Sequence, residues 1–139
     1  MLASEFRYCE PVLGDDTLVI IISQSGETAA TLAALRESRS LGARTLAIVN
    51  VVGSAISKEA DDVIYTWAGP EIAVATTKAY STQLSVLYLI ALYMGRLLGT
   101  WMGENYDSMY RALEVLPEAM EQMLNCDYLK HIEDYADAL

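Results

Sequence analysis

Continuous apolar runs alternate with amphipathic segments along this chain. Three of the runs are typical of strands that are buried on both faces of a parallel sheet. They lie at residues 17–23, 44–52 and 62–69. Four segments have the apolar spacing of helices. They lie at residues 27–42, 54–61, 73–98 and 105–124. Gly42 is placed to end the first of these helices, and Ser54 is placed to cap the second.

This alternation of strand and helix predicts an α/β fold with a mainly parallel sheet. Three strands make a thin sheet for that class, even with a contribution from residues 3–8. We therefore expect Met1 to lie partway into a domain whose first βα unit is absent. In open α/β sheets, ligands bind outside the carboxyl ends of the strands, so the candidate site lies where the apolar runs end.

Composition narrows the class of protein. A chain of 139 residues suits one domain with a real core. Its 53% of hydrophobic residues predicts well-covered helices or an apolar face buried against a partner. The longest apolar stretch, residues 86–95, is about half of what a membrane-spanning helix needs. Charged residues near Met1 argue against a secretory signal. We expect a cytoplasmic protein that does not bind membranes.

Charge and cysteine content exclude two kinds of partner. A net charge of −10 argues against nucleic acid, because phosphate contacts on nucleic acids require lysine and arginine. Cys9 and Cys126 lie far apart and, with a single histidine, form no metal or redox motif. We expect no metal, no cofactor and a reducing compartment.

The first candidate site is the polar segment Ser-Gln-Ser-Gly-Glu-Thr that ends the first apolar run. It opens a predicted helix, whose first N–H groups and dipole favour an anion. Further hydrogen-bonding groups come from Ser23, Gln24, Ser25 and Thr28. Together they could hold a phosphate without any lysine. The alternative is that Ser25 caps the helix, Glu27 complements the dipole in its first turn, and the remaining residues have no special role.

A second stretch of similar character covers residues 68–87. It follows the third apolar run and opens the long helix with small residues and hydroxyls. Thr76 and Thr77 offer hydroxyl groups, and the backbone around Val74 is expected to face the same crevice. Lys78 either supplies a positive charge to the site or is a solvated helix residue, with a slight preference for the second.

These two stretches resemble the sugar isomerase (SIS) domain family. The segments "SQSGETAATLAAL" and "AGPEIAVATTKAYSTQ", with "ASEFRY" near the start, are more closely similar to the first SIS domain of the isomerising glutamine–fructose-6-phosphate aminotransferases, the glucosamine-6-phosphate synthases. The resemblance implies a three-layer αβα sandwich of the flavodoxin-like kind. It implies a partial SIS domain over residues 1–103 and, over 104–139, a helical segment leading towards an absent second SIS domain.

The resemblance also assigns binding roles. Positions that hold the sugar phosphate in the family correspond to Ser23, Gln24, Ser25 and Thr28. Val74, through its backbone, and Thr76 correspond to positions that contact the sugar, although the family usually has serine in place of Thr76. The implied ligand is a hexose 6-phosphate, either fructose 6-phosphate or glucosamine 6-phosphate. The family pairs its domains, which implies a homodimer.

No catalytic residue is assigned. The family adds ammonia to fructose 6-phosphate and moves a proton between two carbons, which needs a positioned base. In the family the base, the imine-forming lysine and the ring-opening histidine belong to the second SIS domain, and ammonia comes from a glutaminase domain. His131 matches none of these groups and is interpreted as a surface residue. We therefore expect phosphosugar binding without synthase activity.

Three other interpretations stay open. One is a different SIS enzyme, such as a hexosamine-phosphate deaminase or a sugar-amine deglycase, which shares the phosphate loop. Another is a non-catalytic SIS module that senses a phosphosugar and regulates a partner. The third is a truncated remnant that dimerises through its apolar helices and binds nothing.

Overall fold

The computed structural model describes residues 1–6, 8–72, 76–101 and 103–125. Its helices and strands are, in chain order, α1 (Ala3–Phe6), β1 (Leu18–Ser23), α2 (Ala29–Ser40), β2 (Arg44–Val49), α3 (Ala55–Glu59), β3 (Asp62–Tyr65), α4 (Lys78–Leu97) and α5 (Glu104–Leu124). Each predicted strand and helix is present. Of the expected contribution from residues 3–8, the described residues form the short helix α1 and no strand. Strand β3 ends earlier than predicted because the backbone turns at Trp67, whose φ is 53°.

The three strands form one parallel sheet in the order β1-β2-β3. At their carboxyl ends Ser23 pairs with Val49, and Val49 pairs with Tyr65. The strands therefore end level with one another, and the segments that follow them start from the same edge of the sheet. The predicted α/β class with a parallel sheet is confirmed.

The main hydrophobic core lies between one face of this sheet and two helices. The strands contribute Ile21, Ala47 and Val49, while α2 contributes Leu35 and α3 contributes Ile56. All five side chains are buried. Successive residues of a strand point to opposite faces, so these odd-numbered strand positions share the side that α2 and α3 cover.

Burial on both faces, which the apolar runs predicted, is wrong for β1. Its Leu18, Ile20 and Ile22 are 44%, 37% and 40% exposed. The reason is that β1 is an edge strand of the described sheet and that α2 and α3 pack against its other face. In the central strand, Ile48 is fully buried although it points away from the main core.

Charged and hydroxyl side chains join the elements at the amino ends of β2 and β3. Arg36 of α2 donates two hydrogen bonds to Glu59, at 2.7 and 2.6 Å. The amide and hydroxyl of the buried Thr45 both donate to one oxygen of Asp61, at 2.9 and 2.7 Å, and the Asp61 amide donates back to the Thr45 hydroxyl at 3.1 Å. These donors hold the pKa of the Asp61 carboxyl below its ordinary value.

The chain divides into two compact units, Met1–Leu87 and Tyr88–Leu139. In the second unit the rings of Tyr106 and Tyr110 stack with centroids 6.3 Å apart, and the Arg96 guanidinium lies 5.7 Å from the Tyr106 ring centre. None of the helices in the described part of the chain is long and apolar enough to cross a membrane.

Substituting Leu35 with alanine should strongly destabilise the protein. Leu35 is fully buried in the main core, and such a change costs about 2–5 kcal/mol through lost transfer energy and the cavity left behind. Leu18→Ala is the matched control, because this leucine is 44% exposed, and it should cost less than about 1 kcal/mol. Urea unfolding of both variants provides the measurement. Equal losses would contradict the assigned core.

The Asp61–Thr45 pair should make stability depend on pH in acid. Because the pKa of Asp61 is lowered in the folded state, the unfolded chain binds the proton at higher pH. The stabilisation is thus complete above about pH 4, the ordinary range of aspartate, and is lost as the pH falls through the folded pKa. Thr45→Val, which removes the hydroxyl, should lower the urea midpoint at pH 7 more than at pH 3. A difference that stays constant with pH would contradict this role.

Candidate functional site

Four of the predicted binding residues lie together where β1 ends and the chain leads into α2. Ser23 is the last residue of β1 and is buried, and its Oγ accepts a hydrogen bond from the Gly26 amide at 3.1 Å. Ser25 is exposed, and its Oγ accepts one from the Glu27 amide at 3.2 Å. In both contacts the hydroxyl oxygen is the acceptor, so the hydroxyl hydrogen stays available to donate to a ligand.

Helix α2 begins later than the sequence predicted. Its N-cap is Thr28, with φ −64° and ψ 117°, whose side chain makes no capping hydrogen bond. The amide of Leu32 donates the first helical bond, to the Thr28 carbonyl at 2.9 Å. The N–H groups of residues 29–31 therefore have no partner inside the helix. The interpretation that Ser25 caps α2 with Glu27 in the first turn is wrong, because the left-handed φ of Gly26, 68°, interrupts the turn before the helix.

The conformation of this loop requires glycine at position 26. It is buried, and a Cβ placed on it would overlap the Oγ of Ser54 and lie 2.6 Å from the Ser54 Cβ. Its φ of 68° is one that L side chains rarely adopt. The Gly26 carbonyl accepts a hydrogen bond from the Ile56 amide at 3.0 Å. The loop therefore rests directly on the start of α3.

Contrary to the prediction, Glu27 does not lie in the first turn of α2, and its side chain contacts α3. Its Oε1 accepts a hydrogen bond from the Ala55 amide at 2.8 Å. Ser54 occupies the N-cap position of α3 as predicted, but its hydroxyl makes no capping bond. The Ser54 Oγ is buried and has no hydrogen-bond partner in the described part of the chain. The carboxylate of Glu27 thus caps the helix that Ser54 precedes.

Asn50, which the sequence analysis did not single out, connects the segments that follow all three strands. Its amide donates to the Gln24 carbonyl at 3.2 Å, and its Nδ2 donates to the Gly69 carbonyl at 2.7 Å. Its Oδ1 accepts bonds from the Ala68 amide at 2.8 Å and the Thr66 hydroxyl at 3.2 Å. A polar asparagine within the apolar run 44–52 was the signal that could have identified it.

A sequence model of the SIS domain matches residues 1–93. The chain belongs to the SIS domain family. The expected similarity to isomerising glutamine–fructose-6-phosphate aminotransferases is confirmed as well. The chain is 56% identical over 126 residues to such an enzyme from Clostridium tetani, a match that covers 91% of the chain and 21% of the relative. It is 51% identical to the enzyme of Symbiobacterium thermophilum, over 99% of the chain and 22% of the relative.

Solved structures agree with the fold of this SIS domain. The C-terminal domain of glucosamine-fructose-6-phosphate aminotransferase from Francisella tularensis superimposes with a TM-score of 0.74 at 34% identity, covering 93% of the chain and 38% of that structure. Glucosamine-6-phosphate deaminase from Thermotoga maritima superimposes with a TM-score of 0.55 at 19% identity over 90% of the chain and 38% of that structure, which shows the fold alone. The chain spans about a fifth of the length of the curated relatives it matches.

The second predicted stretch is only partly described. Thr76 and Thr77 are exposed and directly precede α4. Lys78 is the first residue of that helix, and its Nζ donates to the Pro70 carbonyl at 2.6 Å, so it ties the helix start to the segment after β3. Val74 lies outside the described residues, and its contact with the sugar stays a prediction. Cys126 and His131 lie outside them too.

Gly26→Ala should damage the loop more than the same change at another left-handed glycine. Gly53, with φ 76°, has open space where a Cβ would go, so Gly53→Ala isolates the backbone strain of about 1–2 kcal/mol. Gly26→Ala adds the overlap with Ser54 and should cost clearly more. Urea unfolding of the two variants measures the difference, and equal costs would contradict the close approach.

Proposed function

We propose that this SIS domain binds the phosphate of a hexose 6-phosphate as part of the isomerase domain of a glutamine–fructose-6-phosphate aminotransferase, with fructose 6-phosphate and glucosamine 6-phosphate as ligands. The observation that carries the proposal is the start of α2. There the N–H groups of residues 29–31, which have no partner inside the helix, follow the exposed Ser25 and Thr28 in the chain. Helix N-termini of this kind bind phosphate through N–H groups and the helix dipole.

The hydroxyls supplement these backbone donors. Ser25 and Thr28 are exposed. The Ser25 Oγ accepts a bond from the Glu27 amide and the Thr28 side chain makes no capping bond, so both hydroxyl hydrogens stay available to a ligand. Ser23 is buried at the end of β1, and the side-chain oxygen of Gln24 is buried without a partner in the described chain. In the proposal the hydroxyls of Ser23, Ser25 and Thr28 and the side-chain NH2 group of Gln24 donate to the phosphate, while Thr76 and the backbone of Val74 contact the sugar.

The electrostatics of the loop agree with a site that depends on dipoles. Residues 23–28 contain no lysine or arginine, and the chain carries a net charge of −10. A phosphate would therefore be held by short-range hydrogen bonds, with little steering from distant positive charge. We expect its binding to depend on the geometry of the loop more strongly than on ionic strength.

An aminotransferase assignment is favoured over a deaminase or a sensing module. The curated relatives with 51% and 56% identity are both isomerising aminotransferases. The deaminase from Thermotoga maritima is only 19% identical, so it speaks for the fold and not for the chemistry. The proposed activity of this SIS domain is ligand binding, and no catalytic residue is assigned to it.

The proposal includes a homodimer. Helix α4 exposes Tyr88, Leu89 and Tyr93 by 52%, 51% and 66%. An exposed run of large apolar side chains on one helix is typical of a surface buried against a partner, and a second copy is the partner expected for this family. A monomeric mass in sedimentation at micromolar concentration would contradict the dimer.

The proposal also places the protein in the cytoplasm. The free, exposed thiol of Cys9 suits that compartment, where thiols stay reduced.

Calorimetric titration with fructose 6-phosphate tests the proposed site, with free fructose as the ligand control. We expect binding of the phosphate ester only. Ser25→Ala removes a hydrogen bond to a charged ligand and should weaken binding about 10- to 100-fold, which corresponds to about 1.5–3 kcal/mol.

Ser40→Ala is the matched control for this titration. Ser40 lies at the opposite end of α2, where its hydroxyl donates to the Glu37 carbonyl at 2.8 Å. Its substitution should leave the affinity for fructose 6-phosphate unchanged. A folded protein that binds neither ligand, or that binds free fructose equally well, would overturn the proposed function.

A further inference from the structure

Glu27 places a negative charge within the proposed phosphate site. It lies between Gly26 and Thr28, and it is the one charged residue of the segment 23–28. A carboxylate close to a phosphate repels it, so charge alone would favour any neutral residue at this position. The contacts of Glu27 supply a different reason for its presence.

The loop and the start of α3 are joined by two successive backbone amides. The Ala55 amide donates to the Glu27 Oε1 at 2.8 Å, and the next amide, that of Ile56, donates to the Gly26 carbonyl at 3.0 Å. Both are amides of the first turn of α3, which have no acceptor within their own helix. The hydroxyl of Ser54, the N-cap residue of α3, does not accept a bond from these amides. Glu27 therefore provides the cap from a position 28 residues earlier in the chain.

These contacts determine the course of the loop on both sides of Gly26. Before the glycine, the Ser23 Oγ accepts a bond from the Gly26 amide at 3.1 Å. After it, Glu27 is held to Ala55, and the Thr28 N-cap follows directly. Releasing Glu27 would free the segment that leads from Ser25 into α2. The Glu27–Ala55 bond is thus placed to set where the hydroxyls of Ser25 and Thr28 lie relative to the unpaired amides of α2.

We propose that Glu27 is a positioning residue for phosphosugar binding, whose carboxylate caps α3 and thereby holds the loop 24–28 in its ligand-binding conformation. This inference rests on the proposed phosphate-binding function. It assigns Glu27 no contact with the ligand and no proton transfer, because its Oε1 is already an acceptor for the Ala55 amide. This role requires the acceptor oxygen of the side chain and does not require its negative charge.

Two substitutions separate the oxygen from the charge. Glu27→Gln keeps an acceptor oxygen at the same reach and removes the charge, whereas Glu27→Ala removes both. In titrations of the full chain with fructose 6-phosphate, Glu27→Ala should weaken binding roughly 3- to 30-fold, as the loss of one helix cap would. Glu27→Gln should bind at least as tightly as the unchanged protein. Glu37→Ala on α2 is the control for the loss of one negative charge.

Two outcomes of these titrations would overturn the positioning role of Glu27. If Glu27 acted only through its charge, both substitutions would remove the same repulsion and would tighten binding to a similar extent. Glu27→Ala binding as tightly as Glu27→Gln would therefore overturn the positioning role. So would equal weakening by both substitutions, since the acceptor oxygen that Glu27→Gln keeps would then make no difference to binding.

A measurement without ligand separates this inference from the proposed function. Hydrogen exchange of the Ala55 amide should become faster in Glu27→Ala and remain slow in Glu27→Gln, while the amide of Ile48 in the central strand reports any global unfolding. If the unchanged protein binds no phosphosugar, the proposed function fails, and exchange alone then decides whether Glu27 holds the loop. Unaltered Ala55 exchange in Glu27→Ala would overturn the inference in either case.

Discussion

The parallel register of the three strands is the constraint on which the candidate site depends. Because Ser23, Val49 and Tyr65 are paired at the carboxyl ends of β1, β2 and β3, the chain leaves the sheet three times at one edge. Each departing segment carries backbone groups that need partners. Asn50 satisfies several of them by bonding to Gln24 and Gly69, so the segments after the strands are linked to one another.

Within that frame, a single close approach determines the shape of the loop. Gly26 lies against Ser54 at a distance that no Cβ would permit, and its left-handed φ turns the chain before α2 begins. The consequence is a helix that starts at Ala29, with open N–H groups and with an N-cap, Thr28, whose side chain makes no capping bond. In the proposed function, a protein with a net charge of −10 would hold an anion through local dipoles and not through its overall field.

The apolar surfaces of the structure have different physical origins. On β1, Leu18, Ile20 and Ile22 are exposed because they lie on the face opposite α2 and α3. On α4, Tyr88 and Tyr93 are exposed from a helix that is apolar almost all round. Such surfaces favour burial against further protein, and the two curated relatives are several times longer than this chain.

Local pattern by itself determined the class of fold and the approximate extent of most elements. The apolar runs predicted all three strands, and the helical spacing of residues 105–124 matches α5, Glu104–Leu124, almost to the residue. Gly42 ends α2 with φ 89°, as its position in the pattern predicted. These predictions succeed because periodicity and glycine conformation are properties of neighbouring residues. The polar cluster at residues 23–28 was recognisable for the same reason.

Only the tertiary structure decided which groups meet. The acceptor role of Glu27 depends on Ala55, and that of Asn50 depends on segments from two other strands. The late start of α2 depends on the contact between Gly26 and Ser54. The exposure of one face of β1 depends on where α2 and α3 pack. Contacts between residues far apart in sequence arise only when the sheet is assembled, and the hydrophobic pattern of a single segment carries no information about them.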